Sequence, residues 1–116
     1  MSEIFLFLDD CRNPEMVYPS LPATTSVVVV RSYAAAVEYV EKWGCPTTVS
    51  FDHDLGDIHA GVDEKTGYSF ALYLVDRDLD SAGNFLPPNF KFYVHSANPI
   101  GAAKISELLN SYLRFR

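Results

Sequence analysis

Three polar clusters carry most of the residues in this chain that could do chemistry: Asp9-Asp10, Asp52-His53-Asp54 and His95-Ser96-Ala97-Asn98. Each follows a short apolar stretch. If extended geometry continues past Phe51, Asp52 and Asp54 project to one side and His53 to the other. Carboxylates gathered within a few ångströms raise one another's pKa and oppose folding unless something positive joins them. A divalent ion does so directly. An oxygen ligand set with no cysteine in it favours Mg²⁺ or Mn²⁺, waters and a substrate phosphate filling the other positions. The competing account is that Asp9, Asp10 and Asp54 cap turns where strands give way to loops. Four carboxylates at the ends of two strands expected to be adjacent favour a metal or phosphate site.

His95, followed by Ser96 and a helix that Asn98 can cap, has the form of a phosphate-recognition corner, because a helix N-terminus presents free amides and positive potential. Its imidazole is a candidate general acid or base; the alternative is a buried histidine bonded to a backbone carbonyl. His53, between two aspartates, is a second candidate, and His59 a weaker one more often found solvated. Arg12 could grip a phosphate with its forked guanidinium or pair with a nearby aspartate. Lys104 could lean back to the phosphate corner, although a solvated lysine is the commoner outcome. Tyr68 fits a buried stripe better than a base-stacking platform.

The elements that must position these groups follow from apolar patterning. Ile4 to Leu8 and Val27 to Val30 are continuous apolar runs that read as strands buried on both faces, as in parallel sheets. Between them Pro14, Pro19 and Pro22 leave room for a short, irregular helical crossover. Ser32 can cap a helix from Tyr33 to Trp43 whose buried face is Ala36, Val37, Val40 and Trp43, with Gly44-Cys45-Pro46 as the stop. Thr47 to Phe51 reads as the third strand, and Leu55 to Lys65, with Gly56 and Gly61, as a loop of functional length. A helix resumes at Thr66. Tyr68, Ala71, Leu72, Val75 and Leu79 form its apolar stripe, while Arg77, Asp78 and Asp80 face water or lie at its end. Gly83 to Asn89 is a turn and Phe90 to Val94 the fourth strand, whose Lys91 suggests a solvated face or an edge. Asn98-Pro99 opens a last helix with Ile105, Leu108, Leu109 and Tyr112 buried.

Strand and helix alternating four times imply a three-layer α/β fold: a mostly parallel sheet with right-handed crossovers and helices on both faces. Ligands then bind beyond the carboxyl ends of the strands, where all three polar clusters fall. With 116 residues and 48% hydrophobic content, one domain over residues 1–116 is expected. A net charge of −6 argues against a groove for duplex DNA, while a small phosphorylated ligand, a nucleotide or an RNA end stays open. Cys11 and Cys45 show neither disulfide nor zinc-ligand spacing, so free thiols in a reducing cytoplasm are expected. The N-terminal apolar run is too short for a signal sequence, and no membrane association is expected. Oligomeric state is not legible.

The combination Leu8-Asp9-Asp10-x-Arg12-x-Pro14, Ser50-Phe51-Asp52-His53-Asp54-Leu55-Gly56, Thr66-Gly67-Tyr68 and His95-Ser96-Ala97-Asn98-Pro99-x-Gly101-Ala102 resembles the cyclic-phosphate processing receiver-like domains. The resemblance spans nearly the whole chain and keeps the family's motif order. It implies a receiver, flavodoxin-like topology of about four strands in the order 2-1-3-4. It also implies that Asp9 and Asp10 match the metal-binding acidic pair and Asp52 the phosphoacceptor position. Two departures weigh against a working phosphorelay receiver: no apolar segment follows the last helix to carry the fifth-strand lysine, and His53-Asp54 and His95 add acid/base groups that receivers do not need. The expectation is a metal-dependent phosphoesterase for a cyclic phosphate on a nucleotide or RNA end. Its metal ligands would be Asp9, Asp10 and Asp52. Its catalytic groups would be Asp52, His53, Asp54 and His95, with His95 protonating the departing ribose oxygen. Arg12, Ser96, Asn98 and Lys104 would bind substrate. Asp52 as a covalent nucleophile is the mechanistic variant, and a non-catalytic receiver-like signalling module is the rival. A haloacid-dehalogenase-type phosphatase is disfavoured because the DxD follows the third strand instead of the first.

Overall fold

The structure, a computed structural model, describes residues 4–55 and 65–116. Its elements run β1 (Ile4–Leu8), α1 (Pro14–Val17), β2 (Ser26–Val30), α2 (Tyr33–Trp43), β3 (Thr48–Phe51), α3 (Gly67–Asp80), β4 (Lys91–Val94) and α4 (Pro99–Phe115). The four strands form one parallel sheet in the order β2-β1-β3-β4. The expected topology is therefore found. Helix starts follow local chemistry: Ser32 Oγ accepts from the Ala35 amide, Thr66 Oγ1 from Ser69, and the Asn98 side chain from Gly101.

Side-chain alternation divides the sheet into two unlike faces. Leu6, Leu8, Val30, Val49 and Phe51 join Ala36 and Val40 of α2, Phe70 and Leu74 of α3, and Ile105 and Leu109 of α4 in one core. The other face carries Phe5 and Phe7, packed edge-on against Tyr18 from the proline-rich crossover. Helices do flank both faces, but the second layer is only the four-residue α1 and its flanking segment.

Several burial expectations are corrected. β2 is an edge strand of alternating exposure, Val30 buried and Ser26 and Val28 half-buried, with Val27 and Val29 exposed on the thinly covered face. Trp43 is 68% exposed at the end of α2, beyond the reach of the α3 surface that covers Ala36 and Val40. The α3 stripe is rotated from the expected one: Leu72 and Leu79 are exposed, whereas Phe70, Leu74 and Asp78 are fully buried. Tyr68 is half-buried against the core. Of the expected Leu55–Lys65 loop, only its two ends lie among the described residues. Gly56, His59 and Gly61 lie outside them.

Asp78, expected in water, is a structural anchor. Its Oδ1 accepts from the amides of Phe85 at 2.9 Å and Leu86 at 2.8 Å, its Oδ2 from the Tyr112 hydroxyl at 2.6 Å, and Arg116 Nε lies 3.4 Å away. Burial pushes this carboxyl up, but the hydrogen bonds and the Arg116 charge outweigh it and hold the pKa below the ordinary range. One aspartate thereby ties α3, the turn before β4 and the end of α4 together.

Candidate active site

The backbone ladder runs one hydrogen bond past each strand end. The amides of Asp9, Asp52 and His95 donate to the carbonyls of Val30, Leu8 and Phe51 at 3.1, 3.0 and 3.0 Å. The three clusters are thus aligned at the carboxyl edge of β1, β3 and β4.

Asp9 is fully buried and accepts four hydrogen bonds. Its Oδ1 takes the amides of Cys11 at 3.0 Å and Arg12 at 2.9 Å; its Oδ2 takes Arg12 Nε at 2.8 Å and His95 Nε2 at 3.1 Å. Burial raises its pKa, yet the amides, His95 and Arg12 bring it net below the ordinary value. Four donors match the lone pairs a carboxylate has. Arg12 also reaches Asp52 Oδ1 with Nη2 at 3.4 Å, bridging the two acids. Arg31, at the end of β2, donates to the carbonyls of Asp9 and Arg12 and to Asn13 Oδ1, stapling the Asp9–Asn13 turn to the sheet.

His95 reaches across β3 to Asp9. Its side chain is 3% exposed and stacks on Phe7, with ring centroids 4.5 Å apart and planes 7° apart. Nδ1 lies 2.7 Å from Ser50 Oγ, which is itself 2.7 Å from the Tyr18 hydroxyl. Both ring nitrogens are engaged. Burial lowers the His95 pKa against the opposing pull of Asp9.

Asp52, 5% exposed, has a raised pKa, chiefly from burial and then from the charges of Asp9 and Asp10; Arg12 and Ser96 only partly offset this. Asp10 is exposed, and its carboxylate stands within 4.8 Å of ligand atoms of Asp9 and Cys11. The thiol was not expected near the cluster. Desolvation and the two carboxylates push its pKa up, so it stays protonated and is a poor ligand. The set fits a hard cation. The exposed Asp10 and the buried Asp52 have oxygens to spare, and burial makes the charge of Asp52 costly, whereas Asp9 already accepts four hydrogen bonds.

His53 donates from Nδ1 to Asp54 Oδ1 at 2.8 Å, and Asn98 Nδ2 approaches both Asp54 oxygens at 3.4 Å. The His53 bond is the main reason that Asp54, 62% exposed, has a lowered pKa. The ring lies against the backbone of Gly101, where a Cβ would come within 2.3 Å of His53 Cγ. A Cβ on Gly67 would come 1.9 Å from the Asp52 carbonyl oxygen. These two glycines of the sequence motifs are thus the places where α3 and α4 close on the site. Ser96 Oγ accepts the Asn98 amide at 3.1 Å, and its hydroxyl lies where it helps to offset the rise of the Asp52 pKa.

The structure brings Asp9, Asp10, Arg12, Asp52, His53, Asp54, His95, Ser96 and Asn98 together. Lys104 stands apart from them: it is exposed, its ammonium lies 5.7 Å from the Tyr68 ring centroid, and it makes no ion pair with these residues. Tyr18, Ser50 and Arg31 belong to the site and were missed. Ser50 alone left a signal, as a hydroxyl inside an apolar strand.

Residues 4–111 match the family model of the Cyclic-phosphate processing Receiver domain. The chain belongs to that family. No curated relative matches this receiver-like domain. Among solved structures it is similar to a BeF3-activated DrrB receiver domain, with a TM-score of 0.59, 14% identity, and 93% of this chain and 79% of that one covered. It is also similar to the signal receiver domain of a putative LuxO repressor protein from Vibrio parahaemolyticus, with a TM-score of 0.51, 13% identity, and 98% and 92% covered. At these identities the likeness establishes the receiver fold. No helix among the described residues is long and apolar enough to cross a membrane.

Proposed function

We propose that this receiver-like domain is a phosphoesterase that opens a cyclic phosphate on a nucleotide or RNA end, with Mg²⁺ or Mn²⁺ held by Asp10 and Asp52 beside Asp9. The observation that carries the reading is that the His53–Asp54 pair directly follows Asp52, the buried carboxylate that Arg12 reaches at 3.4 Å, at the carboxyl end of β3. A histidine–carboxylate pair, an acidic cluster and a guanidinium share one strand edge, which supports acid/base, cation-binding and phosphate-binding roles for them. The cation, when bound, supplies polarisation of the phosphoryl oxygens. Arg12 then has guanidinium donors for a non-bridging oxygen. His53, whose Nδ1–H is committed to Asp54, presents Nε2 as the base that orients and deprotonates water. Asn98, whose amide Ser96 accepts, holds Asp54 in place. His95 differs from the role its sequence position suggested: its Nε2 proton is held on Asp9, so in this reading it orders Asp9 instead of protonating the leaving oxygen, which takes its proton from solvent at the exposed edge.

Phosphorus NMR with Mg²⁺ or Mn²⁺ and a panel of 2′,3′-cyclic and other cyclic phosphates tests this. Turnover that is lost in Asp52→Asn and His53→Ala supports it; no turnover across the panel refutes it. The receiver fold and the place of Asp52 at the end of β3 favour one rival, phosphorylation of Asp52 without hydrolysis. That outcome would appear as an acid-stable, base-labile phosphoprotein.

A further inference from the structure

A hydroxyl inside a buried strand must find a partner, and Ser50, fully buried in β3, finds two. Its Oγ lies 2.7 Å from both the Tyr18 hydroxyl and His95 Nδ1. At the other side of the ring, Nε2 meets Asp9 Oδ2 at 3.1 Å. An ionised carboxylate can only accept, so Nε2 carries a proton.

Stacking on Phe7 sets the plane of the His95 ring but not its flip or its tautomer. A half-turn about the Cβ–Cγ bond would put carbon atoms where both nitrogens now stand and lose both hydrogen bonds in a place closed to water. The Nδ1–H tautomer would leave Asp9 without its donor. Asp9, which can only accept, excludes the second arrangement, and the Ser50 hydroxyl, donating to the bare Nδ1, holds the ring against the first. The Tyr18 hydroxyl in turn occupies a lone pair of Ser50 and aims its hydrogen at the ring. Burial raises the Tyr18 pKa, which keeps the phenol protonated and able to donate. Ser50 has a second effect, because its side chain is short enough for His95 on β4 to pass over β3 and reach β1.

We propose that Ser50 and Tyr18 are positioning residues that lock His95 with Nε2–H on Asp9 and so fix the turn carrying Asp10 and Arg12. The functional consequence rests on the hydrolytic reading above; the lock itself does not.

The test uses ring-nitrogen NMR of His95 in the whole chain, in chelator, for wild type, Ser50→Ala and Tyr18→Phe, followed by Mn²⁺ titration read from water-proton relaxation. The wild type should show a single Nε2–H species. Ser50→Ala should strip Nδ1 of its donor, moving the His95 Nδ1 resonance and letting the ring flip, and weaken Mn²⁺ binding about tenfold, as loss of an outer-shell partner does. Tyr18→Phe should shift the same resonances less, since Ser50 can still donate. Wild-type shifts retained in Ser50→Ala, or an Nδ1–H wild type, would overturn the proposal, and unchanged shifts in Tyr18→Phe would remove Tyr18 from it. Because these spectra need no substrate, a chain that cuts no cyclic phosphate yet shows these resonance changes would defeat the proposed function and leave the lock standing. Should Ser50→Ala not fold, Tyr18→Phe alone decides: a shift of the His95 ring resonances supports the lock and wild-type resonances overturn it.

Discussion

Arg12 is the cation that bridges Asp9 and Asp52, so replacing it with glutamine removes the main neutralising group of the acidic cluster while keeping a polar side chain. The ion pairs, at 2.8 and 3.4 Å, are worth about 6 and about 5 kcal/mol of gross attraction at an effective dielectric near 20. Desolvation cancels much of that. Breaking a fully buried pair costs about 3–5 kcal/mol, whereas an exposed pair is worth about 0–1. Arg12 is 30% exposed against two buried acids, which places the loss near 2 kcal/mol, or about 8 °C in Tm for a domain of this size. The cluster then has an unmet demand for positive charge. Thermal melts in chelator and in Mg²⁺ should therefore show Arg12→Gln destabilised in chelator and stabilised by the ion more than wild type. At about 100 times Kd the ion contributes about 2.7 kcal/mol by mass action. Equal melting of wild type and variant in chelator, or equal ion-induced shifts in both, would refute the charge argument.

Asp52→Asn should behave oppositely. With the native pKa raised, the charged form opposes folding increasingly as pH rises through it, so the amide should melt no lower than wild type at neutral pH in chelator, while losing the stabilisation by Mg²⁺. Asp78→Ala should lower unfolding stability by about 3–5 kcal/mol in urea with an unchanged m-value, because it strips two buried amides and Tyr112 of their acceptor. The native pKa of Asp78 is depressed, so its contribution is complete above the unfolded value near 3.9 and fades as pH falls through the native one. Acid unfolding of wild type should accordingly be steeper than that of Asp78→Asn. Gly101→Ala should displace His53 and cut turnover at least tenfold while costing about 1–3 kcal/mol, which assay and melt together would show.

The sequence by itself determined the element order, the parallel sheet and the presence of polar clusters at its carboxyl edge. Those features come from local pattern: apolar runs such as Ile4–Leu8, caps such as Ser32 and Asn98, and stops such as Gly44 act over a few residues. Tertiary structure decided which groups meet and which faces are covered. Nothing local distinguishes Asp78 from its solvated neighbours, since its partners come from the Phe85–Leu86 turn and the end of α4. Trp43 and Val29 are apolar but lack an opposing element, so pattern alone buried them. The roles within the site divide the same way. Asp9 was legible as an acid at a strand end; that four donors saturate it, one of them a histidine held through Ser50 and Tyr18, depends on contacts across strands and crossover that only the folded chain creates.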